Sequence, residues 1–195
     1  MKIYMFLLLW LSFISLSQGQ ERTLAYDLMH KNKVIGSLIA TRQTNGSSEI
    51  YVVKTEITKK ILHVKHCTYD LIIHYEDGKL KSSDYKFYVN EKLDKKTMLV
   101  QKGGQLIAMK NDKPKKMRKK EIDFSSALLY FKEPAGITET FSEPNLKSRP
   151  LAPHKSKPHT YVLDKNVGEY YYENGELQRM VYDELVKIEL IKKSL

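Results

Sequence analysis

The stretch that decides the fold is ALLYFKEPAG, residues 127–136. It begins with five apolar or aromatic residues in a row and ends just after Pro134. Such a run is too uniformly apolar for a surface helix, and a proline disfavours the helical conformation of the residue before it. The run therefore predicts one short α-helix near residues 125–132, buried on most sides, with Asp123 or Ser125 as its N-cap.

Most of the remaining chain alternates between apolar and polar residues with the period of two that is typical of half-buried strands. The alternation is clearest in residues 50–59, 67–75 and 186–190. A sheet with one apolar face must bury that face against another element. We therefore predict a mainly β fold, a curved antiparallel sheet or half-barrel with meander topology, packed on the short helix. Four dipeptides mark its tight hairpin turns: Asn45-Gly46, Asp77-Gly78, Gly103-Gly104 and Asn174-Gly175.

The first nineteen residues have the features of a cleaved signal peptide. Lys2 precedes an apolar stretch over residues 3–16, and small residues stand at positions 17 and 19. The apolar stretch is shorter than the roughly 20 residues that a membrane span needs. We expect an exported protein, periplasmic or secreted, with a single β-rich domain over residues 20–195.

Cysteine usage agrees with a fold that depends on its core. Cys67 is the only cysteine, so no internal disulfide can form. We expect its side chain to act as a small apolar group on a strand.

Several short phrases resemble, in the same order along the chain, those of a family of uncharacterised exported β-proteins from Gram-negative bacteria. The resemblance implies a domain of unknown function with a curved antiparallel sheet, of the kind found in lipoprotein-carrier-like and related half-barrels. It brings no catalytic residues with it. The phrases are Tyr26-Asp27, Lys33-Val34-Ile35-Gly36, Leu129-Tyr130-Phe131-Lys132-Glu133-Pro134, Phe141-Ser142-Glu143, and Tyr170 through Leu177.

Catalytic and metal chemistry find little support in the sequence. His63, His66, Cys67 and His74 lie in one region, and imidazole with thiolate would suit zinc or copper. On a regular strand, however, residues three apart point to opposite faces, which separates His63 from His66. No Gly-x-Ser-x-Gly phrase and no phosphate-binding glycine loop occurs. We therefore expect no metal, no cofactor and no enzymatic activity.

One segment carries much of the net charge of +10. Residues 110–120 contain seven basic residues and one acidic residue. An exported protein meets little nucleic acid, and the segment lacks the aromatic side chains on which bases stack. The ordinary interpretation of such a charged segment is a solvated loop, and an anionic lipid surface is the partner that we consider beside it. The candidate contacts are Lys115, Lys116, Arg118, Lys119 and Lys120.

The thirteen tyrosines are the most informative feature for function. Tyrosine combines a large apolar body with a polar tip, which suits the rim of a cavity, although ordinary core packing also uses it. We predict a cleft between sheet and helix that binds a hydrophobic or amphiphilic, lipid-like ligand. The candidate cleft residues are Leu128, Tyr130, Phe131, Phe87 and Tyr171.

A second hypothesis is an envelope assembly or scaffold protein. It would contact another envelope protein through a sheet edge or through the proline-bearing segment 144–160.

Overall fold

The computed structural model describes residues 19–58, 66–165, 167–183 and 186–193. These residues form fourteen β-strands and a short 3-10 helix, Ser126–Tyr130, which we call the plug helix. The strands are β1 (Gln20–His30), β2 (Lys33–Asn45), β3 (Ser48–Ile57), β4 (Cys67–Glu76), β5 (Lys79–Val89), β6 (Lys92–Lys102), β7 (Gln105–Lys110), β8 (Lys113–Lys115), β9 (Glu139–Ser142), β10 (Lys147–Pro153), β11 (Thr160–Leu163), β12 (Gly168–Glu173), β13 (Glu176–Asp183) and β14 (Lys187–Lys192).

All fourteen strands belong to one antiparallel sheet in the order β8-β7-β6-β5-β4-β3-β2-β1-β14-β13-β12-β11-β10-β9. Neighbours in this order are also neighbours in the chain, except for β1 and β14. Their pairing, with Leu28 opposite Leu190, joins the first and last strands in the interior of the sheet. The sheet does not close, because β8 and β9 remain its edges. The prediction of a mainly β, antiparallel meander is confirmed.

The four predicted hairpin turns all join consecutive strands. Asn174 and Gly175, for example, connect β12 to β13 with φ angles of 52° and 77°. Four further turns, which the sequence analysis missed, each contain two adjacent residues other than glycine that have positive φ angles. These pairs are Lys31-Asn32, Asn90-Glu91, Asn111-Asp112 and Asp164-Lys165.

The predicted α-helix is wrong in type. The run before Pro134 forms a 3-10 helix of five residues, and no α-helix occurs in the described ranges. Ser125 is extended, with φ of −131° and ψ of 171°, because it forms a β-bridge with Phe141, and its hydroxyl caps nothing. The bridge holds the start of the run in an extended conformation and Pro134 disfavours a helix at its end. The hydrogen bonds between them include the i→i+3 bonds from Leu128 N to Ser125 O and from Phe131 N to Leu128 O.

The plug helix nevertheless lies in the hollow of the sheet, as predicted. Leu128, Leu129 and Phe131 are only 8%, 1% and 7% exposed. The ring of Phe131 packs on Tyr51 of β3 at 5.6 Å. On the other side of the hollow, the hydroxyl of Tyr172 in β12 donates a hydrogen bond of 2.7 Å to the carbonyl of Leu129. The plug therefore joins two strands that are far apart in the sheet.

The gap between the edge strands is bridged by side chains. Thr97 Oγ1 of β6 donates to the backbone carbonyl of Glu143 at 2.8 Å. Lys115 Nζ of β8 donates to the carbonyl of Asn145 at 2.7 Å, and Lys95 Nζ reaches the Asn145 side chain at 3.2 Å. These contacts define a seam, where the turn between β9 and β10 rests against β6 and β8.

Glu143 is the one carboxylate that the seam buries completely, with an exposed fraction of 0%. One of its oxygens accepts a hydrogen bond from the Ser126 hydroxyl of the plug helix, and its Oε1 has no partner among the residues described. Burial raises the pKa of Glu143 above its ordinary value, because the charged form is poorly solvated there.

We expect Leu129→Ala to lower the free energy of unfolding by about 2–5 kcal/mol, because it removes buried methyl groups and leaves a cavity. Chemical denaturation measures this loss. The control is Ile107→Ala on the outer face, where the side chain is 50% exposed and the change should stay within about 0.5 kcal/mol. Equal losses in the two variants would contradict the role of the plug.

We expect Glu143→Gln to remove a pH dependence of stability. A raised folded-state pKa means that the folded chain binds more protons than the unfolded chain, so wild-type stability falls as the pH rises from the ordinary carboxyl range to the folded pKa. Glutamine keeps the shape without the charge. The variant's stability relative to wild type should therefore increase over that range and then level off. Denaturation between pH 4 and 9, with the exposed Glu173→Gln as control, tests this; parallel curves for wild type and Glu143→Gln would disprove it.

Candidate functional site

An apolar pocket of about 140 Å³ lies on the concave side of the sheet, next to the plug helix. Strands β1 to β5, β13 and β14 contribute to its wall, and Tyr130 of the plug closes one side. Its apolar side chains are Leu28, Leu38, Ile57, Phe87, Met180, Ile188 and Leu190.

The strand register explains why these side chains meet. Ile57 lies opposite Gly36, Gly36 opposite Leu28, Leu28 opposite Leu190, and Leu190 opposite Met180. Opposite residues in an antiparallel sheet share a face, so the row crosses five strands on the concave side. Gly36 interrupts this row, and a Cβ there would come within 2.0 Å of the Glu56 carbonyl oxygen. No side chain can therefore stand at this position to fill the space.

A larger cavity of about 580 Å³ adjoins the apolar pocket. The two share Tyr69, Phe87, Tyr130, Met180 and Tyr182 in their walls. We call the larger one the tyrosine cavity, because five tyrosines line it: Tyr69, Tyr85, Tyr130, Tyr170 and Tyr182.

The tyrosine hydroxyls stay protonated. Burial raises the pKa of Tyr69, Tyr130 and Tyr170, because a phenolate would lose its hydration. The hydroxyl oxygens of Tyr69 and Tyr130 lie 3.4 Å apart. The hydroxyls of the cavity are therefore neutral groups that can both donate and accept hydrogen bonds.

An ion pair with a buried guanidinium and a partly exposed carboxylate supports the same cavity. Arg149 of β10, 7% exposed, pairs with Asp164 at 3.0 Å and donates to the Tyr182 hydroxyl at 3.4 Å. The carboxylate offsets the guanidinium charge, so this wall offers a polarised hydroxyl rather than a free cation. Together the two spaces offer an apolar end and a polar end, which is the arrangement that an amphiphilic molecule requires. Besides the tyrosine hydroxyls, Asp94 and Lys95 line the polar end.

The predicted cleft residues divide into three groups. Phe87 and Tyr130 line both the apolar pocket and the tyrosine cavity. Leu128 and Phe131 face the opposite side of the plug, where they line a separate polar cavity of about 540 Å³. The prediction that Tyr171 lines the cleft is wrong, because its side chain points outward and is 44% exposed. Its neighbour Tyr170 lines the tyrosine cavity instead, as alternation along β12 requires.

The basic candidates begin at Lys115, the last residue of β8, and lie outside both concave cavities. Lys115 is half-buried and bonds to the seam, and Lys119 pairs with Glu139. Lys116, Arg118 and Lys120 are exposed.

The histidines considered for metal binding do not form a shared site in the part of the chain that the structure describes. His63 lies outside the described residues. His66 contacts Glu56 at 3.3 Å, and His74 contacts Ser48 at 3.0 Å. No group of three His, Cys, Asp or Glu residues with metal-binding geometry occurs among the described residues.

Sequence reasoning missed Met180, Tyr182 and Ile188 as wall residues of the apolar pocket. The signal was present, because Met180 and Tyr182 alternate with Arg179 and Val181 after a predicted hairpin turn. The alternation gives no indication that β14 pairs with β1, which brings β13 to the same pocket.

The fold resembles that of a solved protein. A β-barrel-like protein of the domain of unknown function DUF1849 from Brucella abortus is similar over 88% of this chain and 95% of that chain, with a TM-score of 0.51 and 11% sequence identity. At this identity the likeness concerns the fold alone.

No helix in the described ranges is both long and apolar enough to cross a membrane. A comparison with curated proteins gives no match. The model of the family described as "Domain of unknown function (DUF6134)" matches residues 26–191. This match covers most of the chain, and the chain therefore belongs to the DUF6134 family.

Proposed function

We propose that this protein binds an amphiphilic, lipid-like ligand without catalysing a reaction. The ligand's apolar chain occupies the apolar pocket, and its head group occupies the tyrosine cavity. The observation that carries this proposal is the adjacency of the two spaces, which share five wall residues on the concave side.

The apolar pocket supplies the driving force. Its volume of about 140 Å³ is close to that of apolar cavities that stay dry and accept small hydrocarbons. Each methylene group that moves from water into such a site contributes about 0.8 kcal/mol. A short stretch of acyl chain is therefore enough for measurable binding.

The tyrosine cavity supplies orientation. Its neutral hydroxyls suit an ester, amide or hydroxyl head group, which needs both donors and acceptors. A carboxylate head group can also accept hydrogen bonds from these hydroxyls and from Lys95, which lines the same cavity.

The cellular setting is part of the same proposal. The first nineteen residues support export through a cleaved signal peptide, to the periplasm or beyond the cell. An origin in a Gram-negative bacterium and a relationship to lipoprotein-carrier-like half-barrels would make a lipid or a lipoprotein acyl chain the natural ligand.

Cys67 allows a direct test, because it is the only cysteine and it lines the apolar pocket. We expect dodecanoate, below its micelle concentration, to slow maleimide labelling of Cys67 several-fold. Labelling is best measured at mildly alkaline pH, because burial raises the pKa of the thiol.

Met180→Trp should abolish this protection, because the larger ring fills the junction between the two spaces. Val181→Trp is the matched control, since the next residue on the same strand points to the opposite face. Native mass spectrometry of gently purified protein is the second measurement. A bare mass after lipid incubation, with dodecanoate having no effect on Cys67, would refute the proposal.

The outer face supports a second candidate function, assembly with another envelope protein. Met98, Val100 and Ile107 are 41%, 37% and 50% exposed, and Val100 lies opposite Ile107. The sheet edges themselves are poor docking sites, since β8 has three residues including a proline and the β9 edge carries the Ser125 bridge.

For this candidate we expect a stable, lipid-free protein complex in a cross-linked pull-down, lost in Ile107→Asp and kept in the concave variant Met180→Trp. If both variants keep the complex, the outer face does not mediate this assembly.

A further inference from the structure

A basic pocket of about 450 Å³ lies at the seam, separate from both concave cavities. The end of β8 and the chain after it contribute Lys115, Lys116, Arg118 and Lys119, and the start of β10 contributes Lys147. Sequence reasoning singled out the first four of these residues but had no reason to place Lys147 beside them. Two segments about thirty residues apart in the chain thus contribute to one cationic site.

The positive charge of this pocket is poorly compensated. Lys119 pairs with Glu139, which offsets one charge. Lys116, Arg118 and Lys147 have no acidic partner within 4.0 Å in the described part of the chain. Solvent-facing cations usually repel one another only weakly, but here they converge on one concave site, which makes binding of an anion favourable.

Lys115 is a further cation in the wall of this pocket. Its Nζ is tied to the carbonyl of Asn145 at 2.7 Å, so it cannot move away. Burial, together with Lys110 and Lys147, lowers the pKa of Lys115. A bound anion would favour the protonated form of Lys115.

The pocket also offers donors of the right kind. Arg118 presents a planar fork that matches two oxygens of a phosphate, and the lysines add rotatable ammonium donors. Ser148 lines the pocket, and its buried hydroxyl has no hydrogen-bond partner within the described ranges.

We propose that the basic pocket binds a phosphate group, held by Lys116, Arg118 and Lys147. An excess of several positive charges suits a doubly charged phosphate better than a single carboxylate. The phosphate would link the chain after β8 to β10, so its binding would also stabilise the seam of the open sheet. This inference does not depend on the occupant of the apolar pocket.

The source of the phosphate is either a soluble phosphomonoester or a lipid head group, and two measurements separate them. In the first, sodium phosphate is titrated against sodium chloride of equal ionic strength, with calorimetry and thermal unfolding as readouts. In the second, the protein is sedimented with vesicles of phosphatidylcholine, with and without phosphatidic acid.

We expect phosphate to raise the unfolding midpoint of the wild-type protein, since a ligand that binds only the folded state stabilises it. Arg118→Gln/Lys147→Gln should weaken phosphate binding at least about tenfold, because two charge-assisted contacts are lost. Both side chains are exposed, so the variant should fold. The matched control is Lys33→Gln/Lys54→Gln, which removes the same charge from exposed positions on β2 and β3 and should bind like wild type.

The two sources give different results. Binding of soluble phosphate that is lost in Arg118→Gln/Lys147→Gln supports a soluble ligand. Binding only to phosphatidic acid vesicles, lost in the same variant, supports a lipid head group. The proposal is overturned if wild type binds neither probe, if Arg118→Gln/Lys147→Gln binds as wild type does, or if the control variant loses binding equally.

Discussion

The structure depends on the burial of one short apolar segment against the concave face of a long open sheet. A meander of fourteen strands has an apolar face that its own strands cannot cover, because the sheet does not close. The plug helix covers it from within. Tyr172 and Tyr51, on strands far apart in the sheet, both contact this segment, so the plug holds the curvature of the sheet as well as filling its hollow.

The plug is too small to fill the hollow, and the remaining space supports the proposed binding function. Five residues of 3-10 helix occupy the middle, and the last of them, Tyr130, lines the apolar pocket. Gly36 keeps a side chain out of the row that crosses this pocket. Interiors of proteins are normally close-packed, and the apolar pocket of about 140 Å³ departs from that rule.

The seam explains how an open sheet can have a defined edge-to-edge geometry. Its bonds run from side chains of β6 and β8 to the turn after β9, rather than between the backbones of two strands. Glu143 links this turn to the plug helix through Ser126. Plug and seam are therefore one connected structure, and the basic pocket adjoins it at Lys115, which bonds to the carbonyl of Asn145.

By itself the sequence determined the elements of this protein: half-buried strands, their tight turns and a buried apolar run before Pro134. These follow from local rules, since alternation and turn chemistry involve residues only a few positions apart. Only the tertiary structure decided that β1 pairs with β14, that the run becomes a 3-10 helix because Ser125 is held in a bridge with Phe141, and that Lys147 joins the cations after β8. Each of these depends on contacts between distant segments, which local patterns do not encode.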